Sequence, residues 1–438
     1  MTLGWRRIPL PRFSLRESWV ATGGSVLTAV IGQALLIVSG ILYARLLGPT
    51  NRGYLALLLL LPTVFSQLGN FGLPVAASYF IARGHTRNGI LKTLLRPTAV
   101  LLAILVVVQA LALVWYVHGQ SADVSRAAFI TLVAVPAMFM QDIGLGILQG
   151  EQRFRVFNLL RLQSALYNAL GALLLFATHR HSLLDATFMF MAGTVIAAVV
   201  ALTAAIKFRE RARLSLSPSF REMASFGLKG LLGSVSPVEV FRLDQAIVGL
   251  AISPAALGVY VVALSLTNLP RFIAGSIGMI AYPRIAREPR ERERRQAIWR
   301  FFWAAVVTSG TIVVAIELLA GNLIPLFFGP AFGAAISVCR ILLVGALFLS
   351  ARRVLADGLR GAGLPIAGTV GEVASWLCLV PLLVVLGRVW QLNGIAVAFA
   401  ASAAFSLAVL LAFERARGRG PVLADAPVPP GGTAPVHQ

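Results

Sequence analysis

Charged residues are scarce in this chain of 438 residues, and so are cysteine and histidine. Only 13% of the residues are charged, while 58% are hydrophobic. Because a soluble domain has about 25% charged residues, this composition excludes a long soluble protein. The two cysteines, Cys339 and Cys378, both lie in apolar runs, which argues against a disulfide framework and indicates small buried side chains. The composition therefore predicts a polytopic membrane protein.

Signatures of soluble-enzyme chemistry are also missing. The chain contains no Walker loop, no histidine pair at zinc-binding spacing and no dinucleotide-binding fingerprint. Its 5 histidines are scattered through loops and the C-terminal tail. No segment between the apolar runs is long enough for a catalytic domain. We therefore expect no enzymatic activity, no bound metal and no cofactor.

Basic residues, in contrast, are plentiful, and they give the chain a formal net charge of +21. In a soluble protein, this charge would suggest a nucleic-acid partner. Here the arginines and lysines mostly separate one apolar run from the next. Membrane topology explains this pattern better, so we expect no nucleic acid to bind.

Apolar runs of membrane-spanning length fill most of the sequence. A hydrocarbon core requires about 20 apolar residues per helix, and this rule predicts an all-α integral membrane protein with about 12 transmembrane helices. The first run continues to Leu47 without a cleavage site, so it is a span rather than a removed signal peptide. The predicted spans are 22–44, 54–82, 92–117, 126–148, 157–178, 184–206, 224–250, 256–283, 298–320, 334–356, 366–387 and 393–413.

The distribution of Arg and Lys between the spans predicts the orientation. With a cytoplasmic N-terminus, 29 basic residues lie on the cytoplasmic side and 5 on the other, so both termini are expected inside. Ser219, followed three residues later by Glu222, predicts a helix start in the linker between the halves. The Pro-, Gly- and Ala-rich tail is expected to be disordered. The predicted organisation is a cytoplasmic segment (1–21), an N-terminal lobe (22–206), a cytoplasmic linker (207–222), a C-terminal lobe (223–414) and a cytoplasmic tail (415–438).

Two short stretches recur in the two halves of the chain. Gly48-Pro49-Thr50-Asn51-Arg52-Gly53 and Ser253-Pro254-Ala255-Ala256-Leu257-Gly258 each follow one apolar run and open another, about 205 residues apart. Leu148-Gln149-Gly150 and Leu359-Arg360-Gly361 repeat at an offset of 211. With an even number of spans per half, the repeat is parallel. It predicts two six-helix lobes around a central cavity, with the substrate bound between them.

The segment 284–300 is the densest charge run, with seven arginines among three glutamates. One interpretation is a solvated cytoplasmic helix end that holds the topology and touches anionic lipid headgroups. The other is a docking surface for a partner protein. The sequence leaves both open.

Span seven contains a pattern that is typical of a helix start. Ser236 is followed by Pro237 at the first helical position and by Glu239 three residues after the serine. Inside an apolar run, this pattern indicates either a broken helix or a simple proline kink. Broken helices in transporters direct their positive N-terminal ends toward anionic groups.

The same span carries charges that are costly inside a bilayer and therefore indicate function. Glu239 and Arg242 are three residues apart and are predicted to pair on one helix face. Arg242 and Asp244 are two apart and point to nearly opposite sides, so one of them is expected to face another span or a cavity. The structural alternative is an ion pair between helices that locks the C-terminal lobe.

Two further pairs are predicted to share helix faces at mid-membrane depth: Asn268 with Arg271 in span eight, and Gln67 with Asn70 in span two. If the halves are related, both faces look into one central cleft. Arg271 has no acidic residue three or four positions away and is the best candidate for a substrate-facing cation. A guanidinium suits phosphate because it stays charged and offers a bidentate fork.

Other interior polar residues are weaker candidates for the cavity. Lys229 and Arg340 are expected nearer the membrane faces, where long side chains reach the interface. The rest of this set is Gln33, Asp142, Glu317 and Glu372.

Over about residues 20–415, the chain resembles the oligosaccharide flippases (Wzx-like polysaccharide exporters) of the multidrug/oligosaccharidyl-lipid/polysaccharide (MOP) superfamily. The residues that carry the resemblance are Leu42-Tyr43-Ala44-Arg45-Leu46-Leu47-Gly48-Pro49, Gly53-Tyr54, Leu148-Gln149-Gly150-Glu151-Gln152-Arg153-Phe154, Arg242-Leu243-Asp244-Gln245, Ser253-Pro254-Ala255-Ala256-Leu257-Gly258-Val259-Tyr260 and Pro283-Arg284-Ile285-Ala286. The resemblance implies twelve helices in two lobes around a V-shaped cavity and transport of lipid-linked sugars by alternating access.

The leading hypothesis is a flippase that moves an undecaprenyl-pyrophosphate-type oligosaccharide across the inner membrane for cell-surface polysaccharide synthesis. Membrane lipids and a glycan polymerase or glycosyltransferases are the other expected partners. One alternative is an ion-coupled multidrug exporter of the same superfamily, although Asp142 is the only acidic residue in the interior of a predicted N-terminal span. A second alternative is a non-transporting membrane scaffold.

Overall fold

The computed structural model describes residues 15–207, 218–232, 236–288, 290–364 and 366–417. In these ranges the chain is helical and contains no strand. A 3-10 turn joins α4 to α5, and the π-helical turn Val248–Ile252 extends α9. The helices are α1 (Leu15–Gly69), α2 (Leu73–Ala82), α3 (Arg87–Val117), α4 (Ala122–Ile130), α5 (Ala134–Gly150), α6 (Phe154–Ala177), α7 (Leu183–Lys207), α8 (Phe220–Leu232), α9 (Leu243–Ile247), α10 (Pro254–Ala286), α11 (Glu291–Phe328), α12 (Ala335–Gly361) and α13 (Ile366–Arg417).

Nine helices in the described ranges are long and apolar enough to cross a membrane. Two of them, α1 and α13, contain more than 50 residues and are interrupted by one non-helical residue each. Gly48 interrupts α1 with φ 66°, a conformation that glycine adopts without a steric penalty. Gln391 interrupts α13 with φ 46° and ψ −121°. Both interruptions lie between predicted spans, at the end of the bundle opposite the basic loops.

Predicted span seven is discontinuous, and a simple proline kink does not describe it. Its first part is α8, and its second part is α9 with the π-helical turn. Between them, Ser236 Oγ accepts a hydrogen bond from the Glu239 backbone N–H at 3.3 Å, as expected of a cap, but only one turn follows. Arg242 then adopts φ 48°, in the left-handed region, and reverses the chain into α9.

The recurring stretches pack against each other at the end opposite the basic loops. A Cβ on Gly53 would collide with the backbone carbonyl of Pro254, and a Cβ on Gly258 would collide with that of Pro49. Because each glycine lacks a side chain, the backbone of the other stretch can pack directly against it. This reciprocal contact brings α1 and α10 together and explains why both stretches contain glycine.

The second pair of recurring stretches also makes equivalent contacts. A Cβ on Gly150 of α5 would lie 2.6 Å from the carbonyl oxygen of Ser78 in α2, and one on Gly361 of α12 would lie 2.6 Å from that of Tyr282 in α10. In both cases a residue of positive φ follows the helix, two positions after the glycine. It is Gln152, at 60°, after α5 and Gly363, at 86°, after α12. The two halves of the chain therefore repeat their packing as well as their sequence.

The hydrophobic core is shared at one end of the bundle and divided at the other. At the end opposite the basic loops, Ala44 and Leu57 of α1 pack in one cluster with Leu257 and Tyr260 of α10. At the basic end, one cluster joins α2, α3, α5, α6, α7 and α8, and a separate one joins α10, α11, α12 and α13. The two groups of helices are therefore joined at one end and separate toward the other.

Arg45 strengthens the joined end. Its guanidinium donates hydrogen bonds to the backbone carbonyls of Phe327, at 2.6 Å, and Leu326. These carbonyls lie at the C-terminal end of α11, where a helix leaves acceptors unsatisfied and attracts cations. A basic residue of the first half thus caps a helix of the second half.

The predicted linker and tail lie mostly outside the described residues. Where the linker is described, Ser219 caps α8: its Oγ accepts from the backbone N–H of Glu222, and its own N–H donates to the Glu222 carboxylate at 2.8 Å. This confirms the helix start predicted there. Within α8, Phe226 stacks on Tyr79 of α2 with ring centroids 4.1 Å apart, so the first part of span seven packs on the N-terminal half.

Candidate functional site

Arg271 lies at the centre of a polar cluster halfway along α10. It is 17 residues from the start of the helix at Pro254 and 15 from its end at Ala286. Its Nη2 donates to Glu239 Oε1 at 2.8 Å, and its Nη1 donates to Asn268 Oδ1 at 3.1 Å. Its Nε is buried and has no partner within the described residues. The predicted sharing of a helix face by Asn268 and Arg271 is confirmed.

Glu239 also contacts a second arginine, Arg353 of α12. Arg353 Nη1 lies 3.5 Å from Glu239 Oε1, and its guanidinium covers Gly275, one turn beyond Arg271. The side chains of Arg271, Glu239 and Arg353 are 19%, 31% and 51% exposed. We call these three residues the arginine triad. One carboxylate between two guanidiniums leaves it with a formal charge of +1.

The predicted pairing of Glu239 with Arg242 within one helix is wrong. Residues 237–242 form a turn rather than a helix, so the three-residue spacing does not place the two side chains on one face. Glu239 reaches Arg271 and Arg353 instead. Arg242 is half-buried and lies close enough to Asp244 and Arg271 to interact electrostatically with both.

Asp244 faces another span, α10, rather than a cavity; the sequence had allowed both for a charge of span seven. It is fully buried in the first turn of α9, and its Oδ2 accepts a hydrogen bond from the Tyr260 hydroxyl of α10 at 2.9 Å. Its Oδ1 has no partner within the described residues. The hydrogen bond from Tyr260 and the complete burial make Asp244 a part of the helix interface rather than of an open surface.

The arginines of α12 were missed in the sequence because Arg352 and Arg353 lie at the end of the predicted span 334–356 and were counted with the basic residues of the cytoplasmic side. The helix continues to Gly361 and brings Arg352 and Arg353 beside α10 and α13. Arg352 pairs with Glu372 of α13 at 2.9 Å, which gives that weaker candidate a partner. Arg360 pairs with Asp357 at 3.3 Å. Since Leu355 and Leu359 are buried apolar residues at helical spacing, the pattern extends past the predicted end and could have indicated this.

The N-terminal candidates do not form a matching cluster. Gln67 is exposed on α1, whereas Asn70 is buried in the turn between α1 and α2. Asn70 Oδ1 accepts a hydrogen bond from the backbone N–H of Gly72 at 2.9 Å. The helix ends before Asn70, so the predicted shared face is wrong, and Asn70 instead stabilises the turn. Gln33 is half-buried on α1.

The remaining candidates lie apart from the arginine triad. Lys229 is exposed on α8. Arg340 of α12 lies 3.7 Å from Glu317 of α11. Asp142 is half-buried on α5, and no ion pair is found for it in the described part of the chain. That part also contains no group of three or more His, Cys, Asp or Glu side chains that could hold a metal ion.

The arginine triad lies on the basic side of a close approach between α1 and α10. Gly40 of α1 lies opposite Ser265 of α10, at 3.8 Å from its Oγ to a Cβ built on the glycine. Asn268 is one turn further toward the basic end, where the two groups of helices have separate cores. The arrangement places two guanidiniums and one carboxylate at mid-depth on the surface of the second half. An anion that displaced the Glu239 carboxylate could accept bidentate hydrogen bonds from the guanidiniums of both Arg271 and Arg353.

A family model for polysaccharide biosynthesis proteins matches residues 20–289, more than half of the chain. The chain belongs to this family. Membership agrees with the resemblance seen in the sequence. Among curated proteins, none matches the chain significantly in sequence.

Solved structures with the same fold belong to the MOP superfamily. The lipid II flippase MurJ in an inward closed conformation superposes with a TM-score of 0.73 at 13% identity, over 89% of this chain and 87% of MurJ. The multidrug transporter DinF-BH in complex with R6G gives 0.66 at 16%, over 94% and 98%. A MOP transporter from Pyrococcus furiosus gives 0.60 at 17%, over 91% and 95%. Family and fold together establish a multi-pass membrane protein of the polysaccharide biosynthesis family, with the fold that these transporters share.

Proposed function

We propose that this protein is a flippase that moves a lipid-linked oligosaccharide of the undecaprenyl-pyrophosphate type from the inner to the outer leaflet of the cytoplasmic membrane. The observation that carries the proposal is the arginine triad. It has a formal charge of +1 at mid-depth, and it lies where the two groups of helices separate. A surplus guanidinium in such a position needs an anionic partner, and a diphosphate is the anion that the lipid carrier supplies.

The proposed architecture has twelve crossings in two lobes of six. Gly48 and Gln391 divide α1 and α13 into two crossings each, and α8 and α9 together form one discontinuous crossing. The reciprocal contacts of Gly53 and Gly258 support a parallel repeat. The excess of basic residues places the basic end and both termini in the cytoplasm.

The proposed mechanism begins with the cleft open toward the cytoplasm. The diphosphate displaces Glu239 from Arg271 and Arg353, the sugars occupy the cleft, and the lipid tail stays in the bilayer beside the gap between the lobes. Alternating access then requires the joined end to open. This step separates Gly53 from Pro254 and releases the α11 carbonyls from Arg45, which are contacts between the halves rather than within them.

The test is glycan export in cells that carry Arg271→Ala in place of the wild-type protein. Truncating one member of a desolvated charge pair costs enough to reduce transport about 100-fold or more. Arg340→Ala is the matched control, since it removes an ion-paired arginine from the same half but away from the triad. Normal export by Arg271→Ala, at an unchanged amount of folded protein, would refute the assignment.

A second candidate, an ion-coupled multidrug exporter, is supported by one observation. Asp142 is a half-buried carboxylate of α5 without an ion pair among the described residues. An embedded acidic residue of this kind could bind the coupling ion. Drug resistance in a pump-deficient strain separates the candidates: resistance that is lost in Asp142→Asn supports the exporter, and no resistance supports the flippase.

A further inference from the structure

The first three turns of α11 form an open groove on the surface of the bundle at its basic end. Six residues line it: Arg292, Arg295, Gln296, Trp299, Arg300 and Trp303. None of them belongs to the arginine triad or faces the cleft between the halves. The groove therefore needs an explanation of its own.

The groove continues the lipid-facing side of the helix. Further along α11, Val307, Val314 and Leu318 are 62%, 57% and 77% exposed, and they share a helix face with Trp303. A long exposed apolar stripe on a membrane-crossing helix contacts acyl chains. Since Arg292 and Trp299 extend this face toward the N-terminal end of the helix, the groove faces bilayer lipid rather than another segment of the chain.

The length of α11 places the groove at the level of the headgroups. Its 38 residues span about 57 Å at about 1.5 Å per residue, far more than the hydrocarbon core of about 30 Å. The helix therefore extends beyond the core. Trp299 and Trp303 stand at the boundary where tryptophan is enriched, and Arg292 lies beyond it in the headgroup layer.

The side chains of the groove are held in place before any ligand arrives. The buried Phe302 ring contacts Trp299 and Trp303 edge to face, with centroids 5.2 and 5.4 Å apart. Arg295 is held through Nε by Glu414 of α13 at 2.8 Å, which leaves the other nitrogens of its guanidinium for a second acceptor. Such a fixed arrangement reduces the entropy that binding would cost.

The charge of the groove is not neutralised by the protein. Arg292 and Arg300 are exposed, and neither forms an ion pair with a carboxylate in the described ranges. The nearby Glu293 is engaged by Arg290 at 3.2 Å. Two unpaired guanidiniums and a partly paired third, beside two tryptophans at the membrane boundary, match a phosphate attached to acyl chains.

We infer that this groove is a binding site for the phosphate headgroup of an anionic phospholipid. The phosphate lies between Arg292, Arg295 and Arg300, and the glycerol and upper acyl chains lie against Trp299 and Trp303. The site is independent of the transported substrate. It would give the basic end of the second half a preference for anionic bilayers.

Binding is tested with the purified full-length protein by native mass spectrometry, using phosphatidylglycerol and phosphatidylcholine as probes. Replacing the charge-assisted hydrogen bond of an arginine to the phosphate by the neutral one of a glutamine costs about fivefold in affinity, so Arg292→Gln/Arg300→Gln should weaken phosphatidylglycerol binding about 25-fold. The double lysine variant should retain most of it. Arg284→Gln/Arg287→Gln removes two exposed arginines from the same end but outside the groove, and it should change binding little.

Equal losses in the two glutamine variants would show only a general attraction to the basic end and would overturn the site. Equal binding of the two lipids by the wild-type protein would do the same. A second measurement needs no variant. Bromine in the upper acyl chain of phosphatidylglycerol should quench tryptophan fluorescence more than bromine in phosphatidylcholine at the same mole fraction, and equal quenching would contradict the inference.

Discussion

The two halves of the molecule share their backbone packing and differ in their charges. The backbone carbonyl of Ser78 in α2 meets Gly150 of α5, and 204 residues after Ser78, that of Tyr282 in α10 meets Gly361 of α12. At this same offset, the exposed Gln67 corresponds to Arg271. The repeat therefore preserves the close contacts that build each half, while the ionisable groups at mid-depth are concentrated in one of them.

Helix continuity differs between the halves as well. The first span runs through the middle of α1 without a break until Gly48, whereas in its counterpart, span seven, residues 236–242 are non-helical between α8 and α9. The break releases Glu239 from a helix and lets it reach Arg271. Asymmetry in the backbone and asymmetry in charge thus occur at the same place, which indicates that the second half is specialised for the substrate.

Moving the cation to the other half is the strongest test of this asymmetry. Arg271→Gln should reduce export about 100-fold or more, and adding Gln67→Arg should not restore it. The position 204 residues before Glu239 is Leu35, so an arginine at position 67 would have no equivalent carboxylate. Export of labelled glycan in cells measures the effect. Gln67→Arg alone should remain active, and recovery of export in the double variant would show that the halves are interchangeable.

The packing that the two halves share predicts a symmetric effect, in contrast to the charges. An equivalent glycine substitution in either half should destabilise the protein to the same extent. Gly53→Ala and Gly258→Ala should each destabilise the protein by about 3 kcal/mol, at the upper end of overpacking, because the added Cβ meets a backbone carbonyl that cannot rotate away. Thermal unfolding in detergent measures this. Gly321→Ala is the control: nothing lies within 4 Å of the new Cβ, so stability should stay equal or rise by up to about 1 kcal/mol. A neutral Gly258→Ala would refute the contact between the halves.

The all-helical membrane fold could be predicted from the sequence because it depends on length and hydropathy alone. The repeated stretches predicted two related halves, but not that the glycines of the two stretches pack against each other. The discontinuity of span seven was a stated alternative, since Ser236-Pro237 is a local signal. The break after Gly69 was missed because Asn70 lies in an apolar run that continues on both sides.

The composition of the arginine triad could be predicted only in part. Arg271 and Asn268 are neighbours on one helix, so their spacing was sufficient. The partner of Arg271 is 32 residues away and reaches it only because the backbone is non-helical. Arg353 belongs to another helix, α12, and the hydrogen bond from Tyr260 of α10 to Asp244 likewise joins two helices. One sequence carries no information about which helices pack together.

Asp244 and Tyr260 provide a smaller test, because the first half has no equivalent pair. Tyr260→Phe should cost about 1–3 kcal/mol, since it leaves both oxygens of a fully buried carboxylate without a side-chain donor. The change is measured as a shift in thermal unfolding. Tyr282→Phe removes the same hydroxyl from an exposed position of α10 and should have no effect. Equal shifts in the unfolding temperature of the two variants would show that the hydrogen bond between Tyr260 and Asp244 does not hold α9 in place.

The smallest effect concerns the start of the broken span. The backbone N–H of Ser219 donates to Glu222, and this bond, with a second one from the Ser219 hydroxyl, lowers the pKa of Glu222 from its usual 4.5. A carboxyl with a lowered pKa stabilises the folded form above the usual value and loses that contribution as the pH falls through the lowered pKa. The protection factors of the α8 amides, which are exchange rates corrected for the intrinsic pH dependence of amide exchange, should therefore fall on acidification, while those of α1 should not. Glu222→Gln should remove this fall by leaving α8 weakly capped at every pH, and an identical pH response in this variant would show that the cap does not control the end of α8.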